Sequence, residues 1–282
     1  MNILEELFTN VSEFRRYSPY TESNVSFQEL NSSALSAKKQ IVIILSKDVY
    51  DEIVNEEGEK KEALRSAMAN LTLSKQMIFD VISRRKNDVD IYKSEQDIMR
   101  RSYTDNYYNA MDSLIQLLSE SSSGVWGKTR YAKLIDSLQI KETSEFDSLY
   151  PIDLSYLFFF RIIPYQKEAL ETMLSSYFER VKDKPELKTM LLRCLAKQTV
   201  SIALRRMDIL EFPSTIRSLF EDSKVMRYGT QEQNRILELS ESLANEVRHT
   251  LSDIDLILSG SGDSIDTETS FNRPDDKIYL MA

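Results

Sequence analysis

The run Ser155-Tyr156-Leu157-Phe158-Phe159-Phe160-Arg161-Ile162-Ile163-Pro164 holds the densest group of large apolar side chains in this chain. It is much shorter than the roughly 20 apolar residues that a transmembrane helix needs, so we expect it to be buried against protein. In a helix its apolar side chains would point in all directions. The segment would then lie in a core, or would turn one flank toward another subunit. We predict this core or interface role for Tyr156, Phe158, Phe159, Phe160, Arg161 and Pro164.

The composition is that of a folded, helix-rich protein. The chain has 282 residues, of which 41% are hydrophobic and 29% charged, which is enough for a sizeable core. Its six glycines and six prolines are few for this length, which disfavours a β-sandwich or barrel with many turns. The sequence therefore predicts a mainly α fold, a multi-helix bundle with long amphipathic helices and a flexible C-terminal tail.

The charge of the chain disfavours general binding to nucleic acid. The formal net charge is -9, whereas affinity for a phosphate backbone rests mainly on lysine and arginine. Arginine pairs could still line a local basic surface, but arginines at helix ends and on exposed faces are the favoured interpretation. The pairs are Arg15-Arg16, Arg84-Arg85, Arg100-Arg101 and Arg205-Arg206.

The single cysteine and the first residues bear on the cellular compartment. Cys194 has no second cysteine with which to form an internal disulfide, and its leucine neighbours predict a buried helical position. The first residues lack the basic and apolar regions of a signal peptide, and no apolar run reaches about 18 residues. We expect a protein that stays in a reducing cytoplasm unless it leaves as part of a larger assembly.

The N-terminal half reads as a series of helices. Residues 27–53 follow a Ser26-x-x-Glu29 capping box and carry apolar residues at helical spacing. The run 40–45 also suits a buried strand, but its place inside a capped amphipathic pattern favours helix. Further helices are predicted over 59–82, 94–120 and, as a short element, 126–138.

The C-terminal half begins with residues 139–153, which we predict to be irregular. Pro164 is then expected to open a helix that continues to about residue 181, because proline is favoured at the first helical position. Pro185 should open the next helix, over 185–207, for the same reason. A short helix is predicted around Ile216 and a long one over 230–258.

These elements suggest three regions. They are an N-terminal helical region, 1–138, a C-terminal helical region, 139–258, and a flexible tail, 259–282. The first two regions are either separate or one continuous domain. The end of the tail is apolar enough to dock on a neighbouring surface, through Ile278, Tyr279, Leu280 and Met281.

The sequence contains no recognisable motif for catalysis, cofactor binding or metal binding. His249 is the only histidine, which excludes a multi-histidine zinc site, and a surface helical position is its favoured interpretation. Neither a glycine-rich phosphate loop nor a nucleophile elbow occurs. Acidic runs lack the spacing of a calcium loop. We therefore expect a protein that is not an enzyme and holds no cofactor or metal.

Several short motifs, in this order, resemble one protein family. They are Tyr17-Ser18-Pro19, Val49-Tyr50 at the end of a helix, the aromatic run 155–164, and Phe212-Pro213 before a late helix. Over most of residues 11–258 the chain is similar to head-completion or neck proteins. Tailed phages and prophages of gut Bacteroidetes bacteria, including crAss-like phages, encode this family.

The resemblance implies a structural virion protein that connects the phage head to the tail. It would form a homo-oligomeric ring of about twelve subunits, made in the bacterial host cytoplasm and placed between portal and tail. Its partners would be the portal protein and tail or other neck proteins, with packaged DNA nearby but not specifically bound, and no membrane. The alternative function is a non-virion cytoplasmic helical adaptor or regulatory protein.

Overall fold

The computed structural model describes residues 2–18, 25–86, 93–121, 124–220 and 230–260. These residues are mostly helical and contain no β-strand, which confirms the predicted mainly α, bundle-like fold. Ser259 and Gly260, the first two residues of the predicted tail, are part of the last helix. The rest of the predicted tail lies outside the described residues.

Long antiparallel helices dominate both halves of the chain. The N-terminal helices are α1 (Val11–Arg16), α2 (Phe27–Leu45), α3 (Lys47–Asn55), α4 (Glu59–Lys86), α5 (Lys93–Glu120) and α6 (Arg130–Ile135), with 3-10 turns at Ile3–Glu6 and Trp126–Lys128. The C-terminal helices are α7 (Thr143–Leu149), α8 (Tyr156–Ala169), α9 (Ser175–Arg180), α10 (Pro185–Arg206), α11 (Ser214–Arg217) and α12 (Thr230–Gly260). A π-helical turn, Leu170–Leu174, joins α8 to α9, and a 3-10 turn, Ile209–Glu211, follows α10. The predicted helices 59–82, 94–120, 185–207 and 230–258 correspond to α4, α5, α10 and α12.

The helix predicted over 27–53 is in fact two helices that meet at Ser46. The Ser26–Glu29 capping box is present, and the run 40–45 is helical rather than a strand. Ser46 has a φ of 75°, so the chain changes direction there. Its N–H donates to the Val42 carbonyl at the end of α2, and its side chain accepts from the Val49 N–H at the start of α3. A serine that ends one helix and caps the next does not interrupt the apolar pattern, so periodicity alone could not reveal it.

The prediction of an irregular stretch over 139–153 is wrong for its central part. Helix α7 occupies Thr143–Leu149, and Phe146 within it is fully buried. A helix this short has little stability of its own and owes its existence to tertiary packing. Its local sequence therefore carried almost no helical signal.

The prediction that Pro164 opens a helix is also wrong. Helix α8 begins at Tyr156, where the Ser155 side chain accepts from the Phe158 N–H at 3.2 Å, and Pro164 lies inside it. Proline has no N–H to donate to the Phe160 carbonyl, which costs a helix interior about 3 kcal/mol. The helix tolerates this cost because Ile162, Ile163 and Gln166, which lie next to the proline, are buried.

Two hydrophobic clusters form the interior of the protein. The N-terminal core gathers buried residues from the first part of the chain as far as Leu138, and the C-terminal core gathers those from Ile140 onward. Helix α8 is the exception, because it contributes to both. The division into regions 1–138 and 139–258 as separate domains stays a prediction.

The aromatic run places two apolar faces on α8. One face, Leu157, Phe160 and Ile163, belongs to the N-terminal core, and the other, Phe158, Phe159 and Ile162, belongs to the C-terminal core. The Phe160 ring stacks on Trp126 with centroids 4.9 Å apart. On the other face, Phe158 contacts the Phe212 ring at 5.1 Å. The same short segment thus supplies packing to two cores at once.

The beginning of α8 is also fixed to α5 by a half-buried carboxylate. Asp112 Oδ1 accepts from Ser155 Oγ at 2.7 Å and from the Leu157 N–H at 2.9 Å. Desolvation raises the pKa of Asp112, and the donors from α8 partly oppose that shift. These bonds satisfy a free backbone donor of the helix and orient it on α5.

Phe159→Ala should lower the free energy of unfolding by about 3–5 kcal/mol, because a buried aromatic ring would be replaced by a cavity. Phe159 is 5% exposed and packs against Phe146, whereas Leu35 is 60% exposed. The control change Leu35→Ala should therefore cost less than about 0.5 kcal/mol. Urea denaturation of both variants measures the difference. Equal losses would contradict the burial of Phe159, and lost assembly at an unchanged melting temperature would assign it to an interface instead.

Candidate interaction surface

A space of about 810 Å³, the cleft, opens between α2, α4, α5 and the turn Ile209–Glu211. Small hydroxyl-bearing residues of α2, among them Ser32 and Ser36, leave room along one wall. Leu71 and Tyr107 contribute apolar surface, and both are largely buried. The cleft therefore combines an apolar lining with many hydrogen-bonding groups, as binding sites commonly do.

Polar contacts between helices hold the walls of the cleft. Ser33 Oγ donates to Gln76 Oε1 at 2.7 Å and so joins α2 to α4. The hydroxyls of Ser74 and Thr104 lie 3.3 Å apart and join α4 to α5. The walls belong to the folded bundle, so the cleft is a preformed feature of it.

The positive and the negative side chains of the cleft lie in different parts of it. Lys75 and Arg100 line the part formed by α4 and α5, while Asp208 and Glu211 line the part that meets the end of α10. Among the described residues, no carboxylate pairs with the side chain of Lys75 or Arg100. Partial burial lowers the pKa of Lys75. Partial desolvation disfavours the charged form of a lysine, so an anionic group beside Lys75 would stabilise it.

The acidic end of the cleft is tied to α8. Arg161 Nη2 lies 2.5 Å from Glu211 Oε2, with side-chain exposures of 26% and 21%. Burial raises the pKa of Glu211, and the charge of Arg161 opposes that shift. Burial also raises the pKa of the neighbouring Tyr107 hydroxyl to about 12. Arg161, which lies on α8 between its two apolar faces, therefore stabilises a carboxylate at the edge of the cleft.

The predicted core or interface residues lie together on α8. Phe158, Phe159 and Phe160 are buried, whereas Tyr156, Arg161 and Pro164 are half-buried. Contact between any of them and another subunit stays a prediction. The predicted docking residues Ile278, Tyr279, Leu280 and Met281 lie outside the described residues.

Exposed apolar side chains form surfaces that the sequence analysis missed. On α4 and α5, Phe79, Ile98 and Met99 are 51%, 54% and 43% exposed. Helices α4 and α5 are antiparallel, and the Ser74–Thr104 contact places residue 79 of α4 opposite residue 99 of α5. We therefore group these three side chains as the hairpin patch. On α12, Leu256 and Ile257 are 68% and 48% exposed and form the α12 patch. For Leu256 the available signal was its position opposite the buried face of α12, which Val247 and Ile254 define.

The residues considered for catalysis and metal binding do not form a chemical site. His249 is exposed on α12. Cys194 is buried in α10, as predicted, and burial raises the pKa of its thiol. In the described ranges, no group of His, Cys, Asp and Glu side chains is arranged to hold a metal ion.

The arginine pair at the end of α10 does not form a shared basic surface. Arg205 donates to Ser240 Oγ on α12 at 2.7 Å. Arg206 makes two hydrogen bonds to the Glu168 carboxylate on α8, at 2.6 and 2.8 Å. The pair therefore links α10 to two neighbouring helices.

Arg161→Met should destabilise the protein by about 1–3 kcal/mol at about pH 8, because it leaves the Glu211 carboxylate half-buried without its cation. Since the pKa of Glu211 is already raised in the folded state, the folded protein can take up a proton there as the pH falls. The loss should therefore shrink as the pH falls below the raised pKa of Glu211 and grow as the pH rises through it. Denaturation over a range of pH measures this dependence.

The control for this prediction is the double variant Arg161→Met with Glu211→Gln, which removes the buried charge. It should recover much of the lost stability and show little pH dependence. A loss that is independent of pH, or that Glu211→Gln does not relieve, would contradict the role assigned to this ion pair.

No protein-family model, curated protein or solved structure matches the chain. Within the described ranges, none of the helices combines the length and the apolar content that crossing a bilayer requires.

Proposed function

We propose that this chain is a structural protein of a tailed-phage virion. It would form a connector, or neck, ring between portal and tail by packing of identical subunits. The observation that carries the proposal is that, among the described residues, exposed apolar side chains lie on helices of both cores, as in the hairpin patch and the α12 patch. The motif resemblance around the aromatic run supports the assignment to a phage neck.

A ring of identical subunits needs two different complementary surfaces on each subunit. A contact between two copies of the same patch closes a dimer, whereas a head-to-tail contact between unlike patches can close a ring. The hairpin patch lies on helices that contribute to the N-terminal core, and the α12 patch lies on a helix that contributes to the C-terminal core. This arrangement suits a head-to-tail contact.

The register of α12 on α10 places the α12 patch at one end of the C-terminal core. Lys197 pairs with Glu246 at 2.6 Å, and Ser201 Oγ donates to the Ser240 carbonyl at 2.8 Å, so the two helices are antiparallel. Leu256 therefore lies level with the first turn of α10. The hairpin patch lies beyond Leu73 on α4 and before Tyr103 on α5, both of which are buried.

The rigid attachment of the two cores supports the same function. A ring subunit has to hold its two contact surfaces at a fixed angle. The rotation that relates each subunit to the next then adds up to a full turn and closes the ring. Because α8 is packed into both cores, the two patches are linked through buried side chains rather than through a linker alone.

The proposed partners are the portal protein and the tail or other neck proteins. The negative net charge suits a subunit that lies near packaged DNA without adhering to it. No specific DNA contact is needed for this role. Adhesion between subunits and to neighbouring proteins would prevent the DNA from escaping.

Leu256→Asp with Ile257→Asp should abolish ring formation and leave the melting temperature unchanged, because both side chains are exposed in the single subunit. Mass photometry of the purified chain, alone and mixed with the portal protein of a phage that encodes this chain, measures assembly. The wild-type chain should give a ring of about twelve subunits under at least one condition.

The matched control is Ser242→Asp with Ser252→Asp, which adds the same charge to exposed positions of the same helix. This variant should still assemble. A wild-type chain that stays monomeric in both conditions would contradict the proposed ring, and so would an unimpaired Leu256→Asp, Ile257→Asp variant.

A further inference from the structure

We infer that the cleft is the docking site for the C-terminal segment of the same molecule, Asp275-Asp276-Lys277-Ile278-Tyr279-Leu280-Met281-Ala282. This intramolecular contact goes beyond the proposed ring and does not depend on it. Three features support it: the chemistry of the cleft, the matching chemistry of the segment, and the length of chain between them.

The cleft offers positive charge next to apolar surface. Lys75 is half-buried and Arg100 is exposed, and both side chains lack a carboxylate partner among the described residues. Met77 and Phe79 line the same part of the cleft, with Phe79 51% exposed. A ligand that fits this part has acidic groups followed closely by large apolar ones.

The C-terminal segment has that order of groups. Asp275 and Asp276 precede the apolar run Ile278-Tyr279-Leu280-Met281 by one residue. With the acids beside Lys75 and Arg100, an extended chain brings Tyr279 about 10–13 Å further along, toward the apolar lining of the cleft. The opposite orientation would put the two aspartates against Asp208 and Glu211, so the charges fix the direction of the segment.

The connecting chain is long enough to reach the cleft within one molecule. From Ser240, which contacts α10 near its end, α12 runs about 30 Å to Gly260. Residues 261–274 can span about 45 Å when extended. The turn Ile209–Glu211, which closes one side of the cleft, follows directly after the end of α10 that contacts Ser240. The segment can therefore return along α12, and tethering raises its effective concentration at the cleft to the millimolar range.

Photo-crosslinking of the full chain tests this docking. Tyr279 is replaced by p-benzoylphenylalanine, the monomeric protein is irradiated, and cross-linked peptides are mapped by mass spectrometry. The expected products join residue 279 to α4 or α5 peptides that line the cleft, including the one containing Met77. Cross-links spread over unrelated surfaces would overturn the inference.

Charge reversal tests the proposed contact. Lys75→Glu with Arg100→Glu should lower the cross-link yield by about tenfold, since two attractions become two repulsions. Lys128→Glu with Arg130→Glu makes the same charge change at exposed positions outside the cleft, and should leave the yield unchanged. An equal yield in all three proteins would overturn the inference.

A reversal on the segment itself avoids any effect of cleft substitutions on folding. Asp275→Lys with Asp276→Lys should also lower the yield by about tenfold, and combining it with Lys75→Glu and Arg100→Glu should restore cross-linking. Failure of the combined variant to recover would contradict direct pairing.

An isotope mixture separates intramolecular from intermolecular docking. Labelled and unlabelled chains are mixed before irradiation, and docking within one molecule predicts cross-links only between peptides of like label. Mixed-label products would overturn the intramolecular contact. Because the experiment uses monomeric protein, its result is independent of whether the chain forms a ring.

Discussion

Two-sided burial of α8 is the constraint on which the rest of the structure depends. Its apolar residues divide between two hydrophobic cores, so neither core is complete without the helix. The aromatic rings dominate this packing because each buries a large apolar area. Asp112 fixes the start of the helix, and Arg161 connects its remaining edge to Glu211. A proline in the middle of the helix persists because buried contacts on both sides offset its local cost.

Much of the fold could be predicted from the sequence, since few glycines and prolines and long periodic stretches leave helices as the main option. The long helices α4, α5, α10 and α12 were predictable because each repeats its apolar pattern over many turns. Errors arose where tertiary contacts decide local structure. Helix α7 depends on burial of Phe146, and the chain around Pro164 follows packing rather than the preference of proline for a first turn. The division of α2 from α3 rests on the φ angle of Ser46, which no spacing encodes.

The candidate surfaces were harder to predict than the helices. The cleft is built from residues of α2, α4, α5 and the turn after α10. These residues are far apart in sequence, so no sequence motif could predict the cleft. The pairing of Arg161 with Glu211 could not be predicted for the same reason, because the two residues are far apart in sequence. What the sequence did indicate was the exceptional density of the aromatic run and the apolar end of the tail. The hairpin patch and the α12 patch lie on helices of different cores, and α8 holds those cores together. This combination relates the fold to assembly by subunit packing.

Quantitative mass spectrometry of purified virions, from a phage that encodes this chain, tests the proposed neck function most directly. The measurement gives the number of copies of the chain per particle relative to the portal protein. A neck ring predicts about twelve copies, equal to the number of portal subunits for a matched cyclic symmetry. Absence from the virion would contradict the proposal and favour a non-virion adaptor, and copy numbers in the hundreds would contradict it in favour of a capsid shell or cargo protein.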